Sequence, residues 1–410
     1  MATTDTTVVI SGGGPAGMML GLLLGRAGID VTVLEKHGDF LRDFRGDTVH
    51  ASTIRLLDEL GLGEKFRELP QSRMGNLEMP DRTGTMVTLG DFGSLPKPYD
   101  YVAMMPQWDL LTFLAEAAAE EPSFTLRMNT ETTGLLKEGK KAVGVRYRTA
   151  QGVEGHIRAD LTISCEGRQS TLRRVSGLTL REFPVPYDTW WFRLPRHAYE
   201  QGEVARLLPK IQGDEILMTL FRADYYQLAY LTHKGYDARL RTEGVERFRA
   251  RIGRLRPEFA DRLNAIASMD EVHLLDVKMN RLRHWFTDGL LCIGDAAHAM
   301  TPVGGVGINL AIQDAVATAR LLADPLRRAN VTTADLARVQ ARRERPARIV
   351  QAAQRAMQRV MFVPAFEGRR SGPPGAFLFL GRHVPALRRM PARFIAYGPR
   401  PEHAPDYARR

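Results

Sequence analysis

Cysteine is almost missing from this chain: two residues in 410, Cys165 and Cys292. That excludes a disulfide framework and a cysteine-built zinc site. Both lie in apolar runs, which reads as buried thiols in a reducing compartment. The ten histidines show no metal-ligand spacing, so no metal is expected. Long hydrophobic runs are lacking too. The opening MATTDTT has neither a basic stretch nor an apolar core, and the run 18–24 is too short and too interrupted by glycine to cross a bilayer. A cytoplasmic location is therefore expected. No internal repeat or low-complexity tract breaks the chain. Acidic residues become scarce only near the C-terminal end. Residues 327–410 carry 18 arginines against five acids, a balance of +13 in a chain of +10, so the first 326 residues stand at −3. The basic charge belongs to an appendage, and no nucleic-acid partner is expected for the near-neutral body.

What is present begins with glycine. A chain of 410 residues, 44% hydrophobic, is long enough for two or three cores at roughly 150 residues each. Residues 7–35, TVVISGGGPAGMMLGLLLGRAGIDVTVLE, read as a complete βαβ unit. Residues 8–11 are a buried strand, 15–27 a helix with Gly28 as its C-cap, and 30–35 the second strand. Gly12, Gly14 and Gly17 stand in dinucleotide spacing, with Gly13 and Ala16 between them. Gly12 makes the turn, Gly14 lets a pyrophosphate sit on the helix N-terminus, and Gly17 permits close strand–helix packing. Glu35, followed by Lys36, ends the second strand where a carboxylate accepts from an adenosine ribose. Glu35 alone does not separate NAD from FAD.

A second signature lies at 290–315, LLCIGDAAHAMTPVGGVGINLAIQDA. An apolar run, 290–293, ends at Gly294 and Asp295, and a loop with Pro302, Gly304, Gly305 and Gly307 opens into an amphipathic helix. The order puts a carboxylate beside a backbone that a planar group can approach closely. Behind it a helix N-terminus offers free N–H groups and partial positive charge. That suits a polyol chain joined to a ring that gains negative charge on reduction, which describes a flavin.

Together the two signatures resemble the para-hydroxybenzoate hydroxylase family, the single-component FAD aromatic monooxygenases, over about residues 6–325. The resemblance implies that Asp295 binds the flavin ribityl chain. It implies that Pro302 and Gly304 line the isoalloxazine where oxygen is activated, and that Asn309 lies on the helix beneath the ring. A third match, ADLTISCEGRQSTLRR at 159–174, is similar to the family's Asp-Gly segment, with Glu166 in place of the Asp and Gly167, Arg168, Ser170 and Arg173 after it. Arg45 matches an arginine near the pyrophosphate and the moving flavin, and Gln107 a flavin-contacting glutamine. NADH or NADPH has no dinucleotide unit of its own here, so a transient groove near Arg45 and Arg168 is expected. His298 is expected to hold its loop through the backbone.

Between these segments 188–195, 214–221, 224–231 and 271–279 read as strands, with a helical interruption over 234–263. They suggest an antiparallel sheet roofing the flavin, with Trp190, Trp191, Phe192, Tyr225 and Tyr226 as aromatic walls and Arg222 as the cation. Past 325 the chain is helical and arginine-rich. It reads as a helical pair packed on the FAD domain, with a basic amphipathic surface for an anionic membrane as the alternative. The expected fold is thus α/β. A Rossmann-like FAD domain (1–70, 100–180, 280–325) carries an inserted antiparallel-sheet substrate domain (71–99, 181–279) and a C-terminal helical region (326–410). The resemblance implies an enzyme that uses NAD(P)H and oxygen to hydroxylate an organic molecule through a flavin C4a-hydroperoxide. The aromatic-rich sheet makes the expected substrate aromatic or polycyclic, polyketide-like, and a monomer or homodimer is expected. Two alternatives stand beside it. One is a flavin-dependent halogenase, to which WWFRLP at 190–195 is similar only in part, with no lysine in 75–86. The other is a flavin-binding protein without turnover, with Glu166 disabling reduction.

Overall fold

The computed structural model describes residues 3–41, 48–81, 85–200, 206–222, 224–369 and 374–410. Its N-terminal βαβ unit follows from the sequence. Strand Thr3–Ser11 leads into helix Pro15–Arg26, in which every residue from Ala16 to Gly25 is buried. Proline at the first helical position sacrifices no hydrogen bond. The chain then turns at Gly28, with φ +70°, into strand Val31–Leu34.

These strands are central in an eight-stranded sheet. Its order is Phe286–Thr287, Leu290–Cys292, Glu154–Ser164, Thr3–Ser11, Val31–Leu34 and Phe124–Arg127, with Thr130–Glu138 and Lys141–Thr149 added antiparallel beside Glu154–Ser164. The central pairings are parallel, and parallel strands need cover on both faces. Val8 and Ile10 join a core shared with helices Pro15–Arg26, Gln107–Ala119 and Gly307–Arg327. Val9, pointing the other way, packs under the antiparallel ribbon with Val145 and Ile157. Helix Val303–Arg327, the one helix among the described residues long and apolar enough to cross a bilayer, has 83% of its most apolar window inside this core.

The expected roof is a five-stranded antiparallel sheet ordered Leu207–Gln212, Glu215–Phe221, Tyr225–His233, Tyr187–Pro195 and His273–Leu275. Helix Asp237–Leu255 covers its outer face through Phe248 and Ile252. The inner face looks onto the main cavity.

The C-terminal region is divided. Helix Thr333–Met357 packs on Gly307–Arg327 through Leu336, Val339 and Val350. Helices Gly375–His383 and Pro385–Tyr397 do not. They lie on the hairpin formed by Asn76–Pro80 and Met86–Asp91, where Leu378 packs on Leu89 and Ala392 on Gly90. The last residues then return to the FAD layer, where Arg26 Nη1 donates to the Ala408 carbonyl at 2.8 Å.

Candidate active site

Gly12 shows why the fingerprint requires glycine. Its φ is +105°, and a Cβ there would stand 2.5 Å from the Cys165 carbonyl oxygen; a Cβ on Gly17 would stand 1.9 Å from that of Gly12. A Cβ on Gly14 would meet nothing within 4 Å, so the first turn of the helix is open to a phosphate. Gly13 N donates to Glu35 Oε2 at 3.0 Å and His37 N to Oε1 at 3.1 Å. The Glu35 carboxylate is thereby fixed at the strand end, beside Gly13 and Lys36 on the cavity wall.

The second signature meets the first here. A Cβ on Gly294, at φ +60°, would lie 3.4 Å from Ala16 Cβ and 3.3 Å from Ala311 Cβ. Helices from both ends of the sequence close on this turn, which starts helix Asp295–His298. Asp295 lines the cavity, and no described residue donates to its carboxylate. Gly294 N donates to Asp314 Oδ2 at 3.1 Å, an oxygen that His298 Nε2 shares at 2.5 Å. Arg343 Nε donates to Asp314 Oδ1 at 2.9 Å. Burial would raise the Asp314 pKa, but His298 and Arg343 outweigh it and hold the carboxyl below its ordinary range. His298 therefore does hold the loop, through a carboxylate where a backbone partner was expected.

Pro302, Gly304, Gly305 and Gly307 all line the cavity, with Gly304 at φ +80° and Gly305 at φ +63°. The Gly305 carbonyl accepts from Thr48 Oγ1 at 3.1 Å, and His50 Nε2 lies 3.1 Å from it. His50 Nδ1 lies 2.8 Å from the carbonyl of Ile395 in the last helix. Burial lowers the His50 pKa to about 4, so the ring is neutral at physiological pH. Neither Thr48 nor His50 carries a sequence signal; only the fold brings them to the loop.

Gln107 opens its helix and lines the cavity, as does Gly167 at φ +77°. The Glu166 carboxylate curls back into its own segment, accepting from Ser164 Oγ at 3.0 Å, Ser170 Oγ at 2.5 Å and Leu172 N at 2.9 Å. Arg173 spans to the Asp295 turn, donating to the carbonyls of Ala296 at 3.0 Å and Arg168 at 2.5 Å. The longer acid thus serves the loop. Asn309 is off the cavity wall. Its Oδ1 accepts from Ser52 and Thr53 at 2.5 and 2.8 Å, tying two helices together. Burial raises both thiols, Cys292 to about 12, which leaves them inert. Arg45 lies outside the described residues.

The expected substrate walls need correction. Trp190, Phe192 and Tyr226 belong to the outer core against helix Asp237–Leu255, and Trp190 Nε1 donates to Asp237 at 2.8 Å. Arg222 is buried on Gln227 Oε1, at 2.9 and 3.1 Å. None of the four lines the cavity. Side chains alternate along a strand, and it is Thr189 and Trp191 that face inward. Opposite them stand Met357, Met361 and Phe362, with Phe377 and Ile395 from the last helices. No motif in the sequence marks these C-terminal wall residues, although for Phe377 and Ile395 the apolar positions of the last two helices were a usable signal.

The whole cavity holds about 1440 Å³, above the usual range for one small ligand. An open helix N-terminus, a ribose-level carboxylate and an undonated Asp295 fit FAD as a set. The chain is a flavoprotein monooxygenase of the FAD-binding-domain family, whose model, FAD binding domain, matches residues 5–353. It is 36% identical to 6-methylpretetramide 4-monooxygenase from Streptomyces rimosus, over 97% of this chain and 93% of that one. An anhydrotetracycline hydroxylase structure from Streptomyces rimosus superposes with a TM-score of 0.72 at 25% identity, covering 96% of this chain and 76% of the other. A myxobacterial chondrochloren halogenase reaches a TM-score of 0.75 at 16% identity, covering 96% and 97%, a likeness of fold alone.

Proposed function

We propose that this enzyme hydroxylates a polycyclic aromatic molecule of the polyketide kind, in the cytoplasm, where its nicotinamide donor is supplied. The observation that carries the reading is the wall facing the flavin loop, which is wide and apolar. Met74, Met79, Met218, Met357 and Met361 line it beside Trp191. Thioethers adapt to an irregular ligand outline, and a flat indole rewards a flat ring system. The relative acting on 6-methylpretetramide supports the same class.

FAD, when bound, supplies hydride acceptance and oxygen activation. Asp295 would hold its ribityl hydroxyls and Glu35 its ribose. Gly304 and Gly305 would let the ring approach the backbone, while Thr48 and His50 fix the Gly305 carbonyl. The N-terminus of helix Gly307–Arg327 would direct partial positive charge toward a ring held at that loop, and the apolar wall would keep water from the reacting atoms. One oxygen atom enters the substrate and the other leaves as water. The halogenase alternative loses its motif, since Trp190 and Phe192 face away from the cavity. A survey of NADPH oxidation by the FAD-loaded enzyme tests the reading. Three- and four-ring phenols should accelerate it at least tenfold more than benzoates or single-ring phenols, and equal or opposite stimulation would contradict it.

A further inference from the structure

Arginines crowd a second concavity, built on strands Leu180–Phe183 and Met279–Leu282 beside helix Thr333–Met357. In the ladder Arg181 stands directly opposite Arg281, a like-charge pairing that destabilises a sheet unless a counter-charge offsets it. The guanidinium groups of Arg181, Arg281 and Arg355 all gather over one ring, Phe183, at 5.1, 5.5 and 5.0 Å from its centroid. Arg283 and Arg348 join Arg181 and Arg281 in lining a pocket of about 690 Å³ whose one acid is Glu344. Glu344 is poorly placed to neutralise them. It comes no nearer than 3.8 Å to Arg281 and also accepts from Gln340 at 3.1 Å. Among the described residues no acceptor reaches the guanidinium groups of Arg181, Arg283 or Arg348. Burial lowers the Arg281 pKa, and Arg348, Arg181 and Arg355 lower it further against Glu344 alone. Such a set is complementary to a multiply charged oxyanion such as a phosphate group, whose oxygens guanidinium forks can pair two at a time.

Its position says which anion. Leu180 borders both this pocket and the flavin cavity. Lys278 lines the cavity and Arg281 the pocket, and three residues of extended chain span about 10 Å. A dinucleotide with its nicotinamide at the flavin mouth has the reach to set its adenosine end among the arginines. The sequence holds a single dinucleotide fingerprint, which the FAD uses, so the nicotinamide donor needs a site of another kind. We propose that this pocket binds the phosphorylated adenosine end of NADPH, its 2′-phosphate above all, and so selects NADPH over NADH. The inference rests on the monooxygenase reading only in requiring a nicotinamide donor.

The test is calorimetric binding of 2′,5′-ADP and of 5′-ADP to the FAD-loaded enzyme, wild type and Arg283→Gln/Arg348→Gln. Both arginines sit at the surface, and a retained flavin spectrum and thermal melt verify folding of the variant. In the wild type 2′,5′-ADP should bind about tenfold tighter than 5′-ADP. In the variant the two should approach parity, with a rise of about tenfold in the NADPH KM for flavin reduction measured without organic substrate. Equal binding of the two nucleotides by the wild type overturns the proposal, as does a preference that survives in the variant. Inorganic pyrophosphate binding in place of 2′,5′-ADP overturns it too, leaving a general anion site. None of these readouts depends on which compound is hydroxylated, so they stand or fall apart from the substrate class.

Discussion

At Asp295 the carboxylate is presented to the cavity by a turn whose other polar groups are already bonded: Gly294 N to Asp314, the Ala296 carbonyl to Arg173. Its acceptors are thus available to ribityl hydroxyls, each charge-assisted bond contributing roughly 1.5–3 kcal/mol. Asp295→Ala should weaken FAD binding by ten- to a hundredfold, about 1.4 kcal/mol per decade, and flavin fluorescence titration measures it. Unchanged affinity would mean that the loop does not hold the cofactor. His50 sits on the other side of the ring loop, between two carbonyls. It stays neutral down to about pH 4, whereas an ordinary histidine protonates near 6.5. The unfolded chain therefore takes up a proton that the folded chain refuses as pH falls through that window. Stability is lost by about 3 kcal/mol between those limits, and none of it above pH 7. In urea titrations the advantage of the wild type over His50→Gln should shrink from pH 7 to pH 4. An advantage independent of pH would show that the imidazole titrates normally.

The roof strand Tyr187–Pro195 presents the clearest contrast between neighbouring side chains. Trp190 is fully buried against helix Asp237–Leu255, and Trp191 faces the cavity with its Nε1 unpartnered. Trp190→Ala should lower unfolding free energy by roughly 3–5 kcal/mol, the cost of a large core truncation. Trp191→Ala should spare stability and raise the substrate KM about tenfold. Chemical denaturation paired with steady-state kinetics separates the two, and the reverse pattern would invert the sheet. The sequence did not disclose which tryptophan faces the flavin. With Tyr187, Asp188, Thr189, Trp190 and Phe192 all buried, the strand shows no polar alternation to mark its faces. The βαβ unit was legible because steric necessity writes it: Gly12 and Gly17 stand where any Cβ would collide with backbone. Gly304 and Gly305 were legible for a related reason, their positive φ. Thr48 and His50 were not, because they act only through a carbonyl brought from the far end of the chain.

Across the whole molecule, the C-terminal arginines prove to be internal struts as well as surface charge. Arg343 is fully buried, joining Asp314 at 2.9 Å to Glu402 at 3.2 Å, and Glu402 also accepts from Arg342 at 2.7 Å. The tail is thereby bonded to the carboxylate that holds the Gly294 turn. The last helix pair closes one side of the cavity through Phe377 and Ile395, and Ile395 meets His50 behind the Gly304–Gly305 loop. One appendage thus lines the cavity through Phe377 and Ile395 and, through Arg343, braces the turn at Gly294. The central claim, a flavin-based hydroxylation of a polycyclic aromatic in this cavity, is tested most directly by isotope. The FAD-loaded enzyme is turned over with NADPH, a four-ring phenolic substrate and ¹⁸O₂, and the product is weighed by mass spectrometry. The account predicts a product carrying one ¹⁸O atom for each NADPH consumed. Oxygen drawn from water, or label recovered only as hydrogen peroxide with every polycyclic compound tried, would contradict it.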